Sequence, residues 1–130
     1  MERLVIDTSS LIAIVLQEPG YQAHLAVLSQ AKQLNLSAVS RVELSMVGKS
    51  RGVEEVAVAM LERLAVQILP FDAHQAGLAI SAFDKYGKGR HPAALNFGDC
   101  CSYALAKSLD LPLLFKGNDF SQTDIAMAVF

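Results

Sequence analysis

Short aliphatic runs alternate along this chain with longer stretches in which apolar residues return every third or fourth position. Leu4-Val5-Ile6 is such a run, and it stops at Asp7 before Thr8-Ser9-Ser10. An unbroken apolar triplet ended by an acid reads as a buried strand, and the hydroxyl residues after it are natural helix caps. Leu11 to Leu16 continues as a helix ended by Glu18-Pro19-Gly20, and a second helix is predicted over 21–33. Leu34 to Val39 is the next predicted strand, with Ser40 available to cap the helix carrying Arg41 to Ser50. Val53, Val56, Ala57, Met60, Leu61 and Leu64 form one apolar helical stripe. Val66 to Leu69 is a strand stopped by Pro70. Asp72 with Gln75 three residues on marks a helix start, and Ala73, Ala76, Gly77, Ile80 and Phe83 are its expected buried face. Gly87-Lys88-Gly89-Arg90-His91-Pro92 breaks the pattern as an exposed loop. A helix from about Gly98 to Leu109 follows, with Cys101, Ala104 and Leu105 inward. Leu111 to Phe115 is then a strand, Lys116 to Asp119 a turn, and Ile125 to Phe130 a last strand.

Strands alternating with helices imply an α/β fold, a three-layer α/β/α sandwich around a central, mainly parallel sheet. Residues 1–130 read as one domain, with no repeat or linker. Ligands in such sheets bind beyond the carboxyl ends of the strands, so polar residues there carry the functional information.

Composition narrows the class. A hydrophobic fraction of 52% supports a filled core, and no apolar run approaches the length needed to span a bilayer. Asp7 falls where a signal peptide would be apolar, so the expectation is a soluble, cytoplasmic protein. Cys100 and Cys101 are adjacent and have no partners at zinc-binding spacing, which leaves them as small core residues in a reducing compartment. The net charge of −2 gives no overall nucleic-acid footprint. Lys85, Lys88, Arg90 and His91 nevertheless cluster, as do Arg41, Lys49 and Arg51. Each cluster reads either as phosphate-binding or as ordinary solvated surface.

The acids change the picture most. Asp7 follows the first strand, Glu43 lies near the start of the helix after the second, Asp99 opens a helix, and Asp119 follows the strand ending at Phe115. All four could converge on one edge of the sheet, although helix starts and turns favour acids for local reasons as well. Crowded carboxylates repel unless a cation neutralises them, and oxygen-only ligands suit Mg²⁺, with Mn²⁺ as a substitute. Magnesium keeps waters and takes phosphate oxygens, so the matching substrate is a phosphate ester or phosphodiester. No Ser/His/Asp or Cys/His arrangement competes. His24 and His74 are isolated and read as surface or capping residues, and Gly87-Lys88-Gly89 lacks the P-loop pattern. Phe71, Phe83, Tyr86 and Phe97 read as core or dimer-surface residues before base-stacking platforms.

Val5-Ile6-Asp7-Thr8-Ser9, Ser40-Arg41-Val42-Glu43 and Asn96-Phe97-Gly98-Asp99-Cys100 resemble PIN-domain ribonucleases. The stretch from Ser102-Tyr103-Ala104-Leu105-Ala106 to Leu113-Leu114-Phe115-Lys116-Gly117-Asn118-Asp119-Phe120 adds to this, and the likeness is greatest to the VapC toxins of bacterial toxin–antitoxin pairs. The resemblance implies a Mg²⁺-dependent endoribonuclease that hydrolyses RNA, tRNA among the candidates, by metal-activated water. It implies a metal site of Asp7 and Asp99 completed by Glu43 and Asp119, with the Ser9 hydroxyl in support. A homodimer and a VapB-like antitoxin are implied with it. Asn118 stands where relatives often carry an acid, leaving Asp119 as the nearest carboxylate. Two other readings are weighed against it: a PIN-like module that binds without cutting, and a receiver-type signalling domain built on Asp7, Asp72 and Lys116. A haloacid-type phosphatase would need a second acid where Ser9 stands.

Overall fold

The structure, a computed structural model, describes residues 3–128. In chain order it contains β1 (Arg3–Ile6), α1 (Thr8–Val15), α2 (Tyr21–Gln30), β2 (Gln33–Ser37), α3 (Ala38–Arg51), α4 (Glu54–Arg63), β3 (Gln67–Leu69), α5 (Ala73–Tyr86), α6 (Phe97–Leu109) and β4 (Leu113–Leu114). A 3₁₀ turn at Phe120–Gln122 follows. The four strands form one all-parallel sheet in the order β3-β2-β1-β4. After β1 the chain builds outward through β2 and β3, then returns to add β4 on the other side of β1. The order therefore reverses between β1 and β4, and in an open α/β sheet a crevice forms at that point beyond the strand ends.

Alternation along β1 divides the core into two layers. Leu4 and Ile6 pack with Leu11, Ile14, Leu28, Leu44 and Leu61 of α1 to α4. Val5 points the other way, with Leu113, Ala82 of α5 and Cys100, Tyr103 and Leu105 of α6. Helices thus cover both faces, the expected three-layer sandwich. Leu4, Val5 and Ile6 are fully buried, each side chain contributing about 1.5–3 kcal/mol of burial. Asn35 is the polar residue at the centre of β2; its amide donates to the Leu4 carbonyl (3.1 Å) and to Gln33 (3.2 Å). Among the described residues no helix is long and apolar enough to cross a membrane.

Several sequence expectations are corrected. β2 ends at Ser37, and Ser37, not Ser40, caps α3 by accepting from the Val39 N–H at 3.2 Å. The segment Leu34 to Val39 crosses the boundary because Ala38 and Val39 are the first residues of the helix rather than strand, so Ser40 lies inside the first turn. α2 ends at Gln30, three residues early. The Asp72 cap holds, with the Gln75 N–H donating at 2.9 Å, but the face of α5 is rotated. Gln75 and Ala82 are buried, whereas Ala73, Gly77, Ile80 and Phe83 are exposed. α5 packs chiefly on α6, and a small residue, Ala82, allows that close approach while the bulky residues stay outside. The strand expected over Leu111 to Phe115 is confined to Leu113–Leu114. The last expected strand is a single parallel bridge between Leu113 and Met127; Val129 and Phe130 lie outside the described residues. His24 is neither a surface nor a capping residue: it is buried between α1 and α2, its Nδ1 3.0 Å from the Ser10 hydroxyl. Both cysteines are free and buried, as expected, and burial first of all pushes each thiol up to about 11.

Candidate active site

Asp7 is the first residue beyond β1, at the point where the strand order reverses. Its N–H donates to the Leu114 carbonyl of β4 (2.9 Å), which fixes the backbone against the neighbouring strand. The side chain caps α1: Oδ2 accepts from the Ser9 N–H at 3.0 Å. Oδ1 accepts from the Ser102 hydroxyl at 2.6 Å. A carboxylate only 4% exposed needs such donors, because burying it without them would be costly.

Glu43 approaches from the second turn of α3. Burial raises its carboxyl above the usual range, the Thr8 hydroxyl opposes this, and the charge of Asp7 adds to it. The Thr8 hydroxyl also lies 3.3 Å from the Ser40 carbonyl. Gly98, in the first turn of α6, makes room for this acid: a Cβ there would overlap Glu43 Oε2.

Asp99 is held by a reciprocal cap at the start of α6. Its N–H donates to Asn96 Oδ1 (2.9 Å), and its Oδ2 accepts from the Asn96 N–H (3.0 Å). The carboxyl is raised to about 7, mainly by burial. The Asn96 N–H works against this, while the negative charges of Asp7, Asp119 and Glu43 each push it further up. Charges from three other parts of the chain therefore reach Asp99. Asp119 is the outermost, exposed in the turn before the 3₁₀ segment; Asn118 beside it is also exposed.

Among the described residues no three acid, His or Cys side chains stand close enough to cage an ion by themselves. Mg²⁺ does not ask for a cage, since it commonly binds one or two carboxylates and keeps its remaining positions for water and phosphate. The donors here are all oxygens, and the smaller, repulsive part of the Asp99 shift is what a divalent cation would relieve. The residues suit Mg²⁺ or Mn²⁺ on these grounds.

The Ser9 hydroxyl has a structural contact besides the expected support of the first acid or a metal-bound water. It accepts from the Lys116 N–H at 2.9 Å and so ties the loop after β4 to the start of α1, while the Ser9 backbone supports Asp7. Lys116 Nζ pairs with Glu18 (3.0 Å), and Asp72 caps α5. The three residues of the receiver-type reading are thus otherwise engaged.

Ser102, Ser40, Thr8 and Gly98 belong to the site but were not singled out for these roles in the sequence. A signal existed: Ser102 lies three residues after Asp99 and Ser40 three before Glu43, the spacing that puts two side chains on one helix face. The basic loop lies just upstream of α6. Arg90 sits 5.3 Å above the Phe83 ring and His91 meets Tyr86 edge-on at 5.2 Å, while Lys88 is exposed. In the other cluster Lys49 pairs with Glu54 at 2.7 Å as ordinary surface.

Comparison with known proteins agrees with this architecture. The PIN domain family profile matches residues 4–126. A protein of Mycolicibacterium smegmatis named Ribonuclease VapC is 43% identical over 127 residues, covering 95% of this chain and 98% of that protein. The crystal structure of Mycobacterium tuberculosis VapC20, described as a sarcin–ricin-loop-cleaving toxin, superposes with a TM-score of 0.75 at 17% identity, over 96% of this chain and 98% of that one. A chain of a toxin–antitoxin complex from Klebsiella pneumoniae gives 0.72 at 19% identity, over 96% of each chain. The two structures bear on the fold, and the relative's identity and coverage bear on descent. The chain belongs to the PIN-domain family and, within it, to the VapC ribonucleases.

Proposed function

We propose that the protein is a Mg²⁺-dependent endoribonuclease, the toxin of a VapBC-type pair, acting in the cytoplasm. Support for the chemistry comes from Asp7, buried at the carboxyl end of β1, and from Asp99, on which the charges of Asp7, Glu43 and Asp119 act in addition to burial. Asp7 and Asp99 would hold the ion, with Glu43 and Asp119 assisting. When bound, a divalent cation supplies charge neutralisation at the scissile phosphate and lowers the pKa of water. The residues supply placement: donors on both oxygens fix Asp7, the reciprocal cap fixes Asp99, and Gly98 admits Glu43. Hydrolysis by this route leaves a 5′-phosphate and a 3′-hydroxyl and needs no 2′-hydroxyl nucleophile. Total tRNA incubated with the protein should be cut with Mg²⁺ present and left intact in EDTA. Intact RNA under both conditions, with the metal still bound, would favour a PIN-like module that binds without cutting.

The loop cations are proposed to hold substrate phosphates. Lys88→Ala with Arg90→Ala should weaken RNA binding and lower the slope of affinity against salt by roughly one to two counterions. An unchanged slope would leave the loop as solvated surface.

A homodimer and a VapB-like antitoxin are the proposed partners. For the dimer, support comes from an apolar surface running from α3 to α5 across Phe97. Phe97 lines both a 390 Å³ hollow with Phe71, Ile80 and Phe83 and a 560 Å³ hollow with Val42 and Met46. Phe97 is 75% exposed, Met46 66% and Ile80 64%. An exposed apolar face of this kind is what an interface of about 800 Å² per partner is built around. Neither hollow is lined by a lysine or arginine; Arg90 lies at the edge, over the Phe83 ring. Phe97→Asp with Ile80→Asp should give a monomer in sedimentation where the wild type is a dimer. Identical sedimentation would remove this face as the interface.

A further inference from the structure

We propose that Ser102 is a positioning residue of the metal centre, the end of a buried hydroxyl relay from α3 through α6 that fixes the orientation in which Asp7 meets the ion. The inference rests on the metal reading above and names a residue for which the four-acid description has no place.

Three observations carry it. Ser102 and Ser40 are both fully buried, so neither hydroxyl reaches bulk water. The Ser102 hydroxyl lies 2.6 Å from Asp7 Oδ1, the short range of a charge-assisted bond. The Ser40 hydroxyl lies 3.2 Å from that of Ser102. A hydroxyl has one proton, and Ser102 gives its own to the carboxylate, so Ser40 must donate to Ser102. The bonds then run one way, Ser40 to Ser102 to Asp7, and each polarises the next. The relay joins the two helices that bring the other acids, because Ser40 shares the face of α3 with Glu43 and Ser102 shares that of α6 with Asp99.

Its consequence is geometric. The Ser9 N–H holds Oδ2 from the α1 side, and Ser102 holds Oδ1 from the α6 side. With both oxygens tethered the carboxylate cannot rotate about χ2, and the lone pairs left free face a fixed direction. Partners of this kind typically change metal affinity 10- to 100-fold when removed. Without Ser102, Asp7 keeps its charge and one tether but loses the second. An ordinary helix serine is available for contrast: the Ser108 hydroxyl bonds only the Leu105 carbonyl of its own helix.

The test is calorimetric titration of the metal-free full chain with Mn²⁺, for wild type, Ser102→Ala, Ser102→Cys, Ser40→Ala and Ser108→Ala, each melted first to establish its folded fraction. Ser102→Ala should weaken Mn²⁺ about tenfold, Ser102→Cys and Ser40→Ala less, and Ser108→Ala not at all. RNA cleavage should need correspondingly more Mg²⁺ while the KM for RNA stays put. Should Ser102→Ala fail to fold, the milder Ser102→Cys and Ser40→Ala carry the same comparison. Folded variants that bind Mn²⁺ as wild type does, whatever their melting temperatures, would reduce the relay to a packing feature and overturn the proposal. A wild-type protein that binds no Mn²⁺ would instead overturn the metal reading itself.

Discussion

Asp7→Asn and Asp99→Asn should each lower RNA cleavage by a hundredfold or more and weaken Mn²⁺ binding to match, with the double variant binding none detectably. Removing a partner of a ligand typically costs 10- to 100-fold, and removing the charge of the ligand itself should cost at least as much. Asn preserves the shape of both side chains. At position 7 its carbonyl oxygen can still accept from the Ser9 N–H or the Ser102 hydroxyl, and at position 99 from the Asn96 N–H. Loss of activity in a folded Asp99→Asn would therefore report charge, whereas Asp7→Asn gives up one of the two tethers as well as the charge, because its NH2 cannot accept. Titration of the metal-free protein with Mn²⁺ and RNA cleavage on the same samples check this together. Unchanged affinity in the double variant would remove these two acids from the metal site.

The second large effect runs in the opposite direction. Without metal, Asp99→Asn should stabilise the protein near neutral pH. The folded-state pKa is about 7 and the ordinary value 3.8, so between these limits the folded chain holds a proton that the unfolded chain has released. Stability contributed by this group therefore falls as pH rises from about 4 to 7 and stays low above. The full shift would amount to roughly 4 kcal/mol, and discounting for solvent screening at a partly exposed group leaves about 1–2 kcal/mol. For a chain of this size that is a rise of several degrees in Tm at pH 7.5, vanishing near pH 4. Added Mn²⁺ should raise the Tm of wild type and leave the variant nearly unmoved. Differential scanning calorimetry at the two pH values, with and without Mn²⁺, measures all of this. A variant less stable than wild type at pH 7.5 would mean that Asp99 serves the fold through its cap more than it strains it.

The crowding of acids is not what makes the candidate acids legible in the sequence; their places at strand ends and helix starts are. Leu4-Val5-Ile6 announced a strand and Asp7 its end, and the alternation of runs with helical stripes gave the sheet and its two covered faces. Asp99 was visible because helix starts and strand ends are recognisable by composition. The structure sets it among three other charges that raise it, a long-range fact with no local trace. α5 was misread for a related reason. Its apolar residues Ile80 and Phe83 have the period of a buried face, but the buried side belongs to Ala82 and Gln75, and period alone cannot tell a core from an outer apolar surface. Ser40 looked like a cap because hydroxyl residues favour helix starts; Ser37 sits three residues earlier with the same chemistry and takes that place. His24 and Ser102 are buried by partners 14 and 95 residues away, Ser10 and Asp7, distances at which periodicity says nothing.

End-group analysis of a cleaved RNA oligonucleotide tests the central claim, hydrolysis driven by a metal held on the acids around β1. The protein is incubated with a 5′-labelled RNA in Mg²⁺ and in EDTA, and the products are resolved with and without phosphatase. The account predicts a 5′-phosphate on one fragment, a 3′-hydroxyl on the other, and no cleavage in EDTA. A 2′,3′-cyclic phosphate, or cleavage that persists undiminished in EDTA, would contradict it.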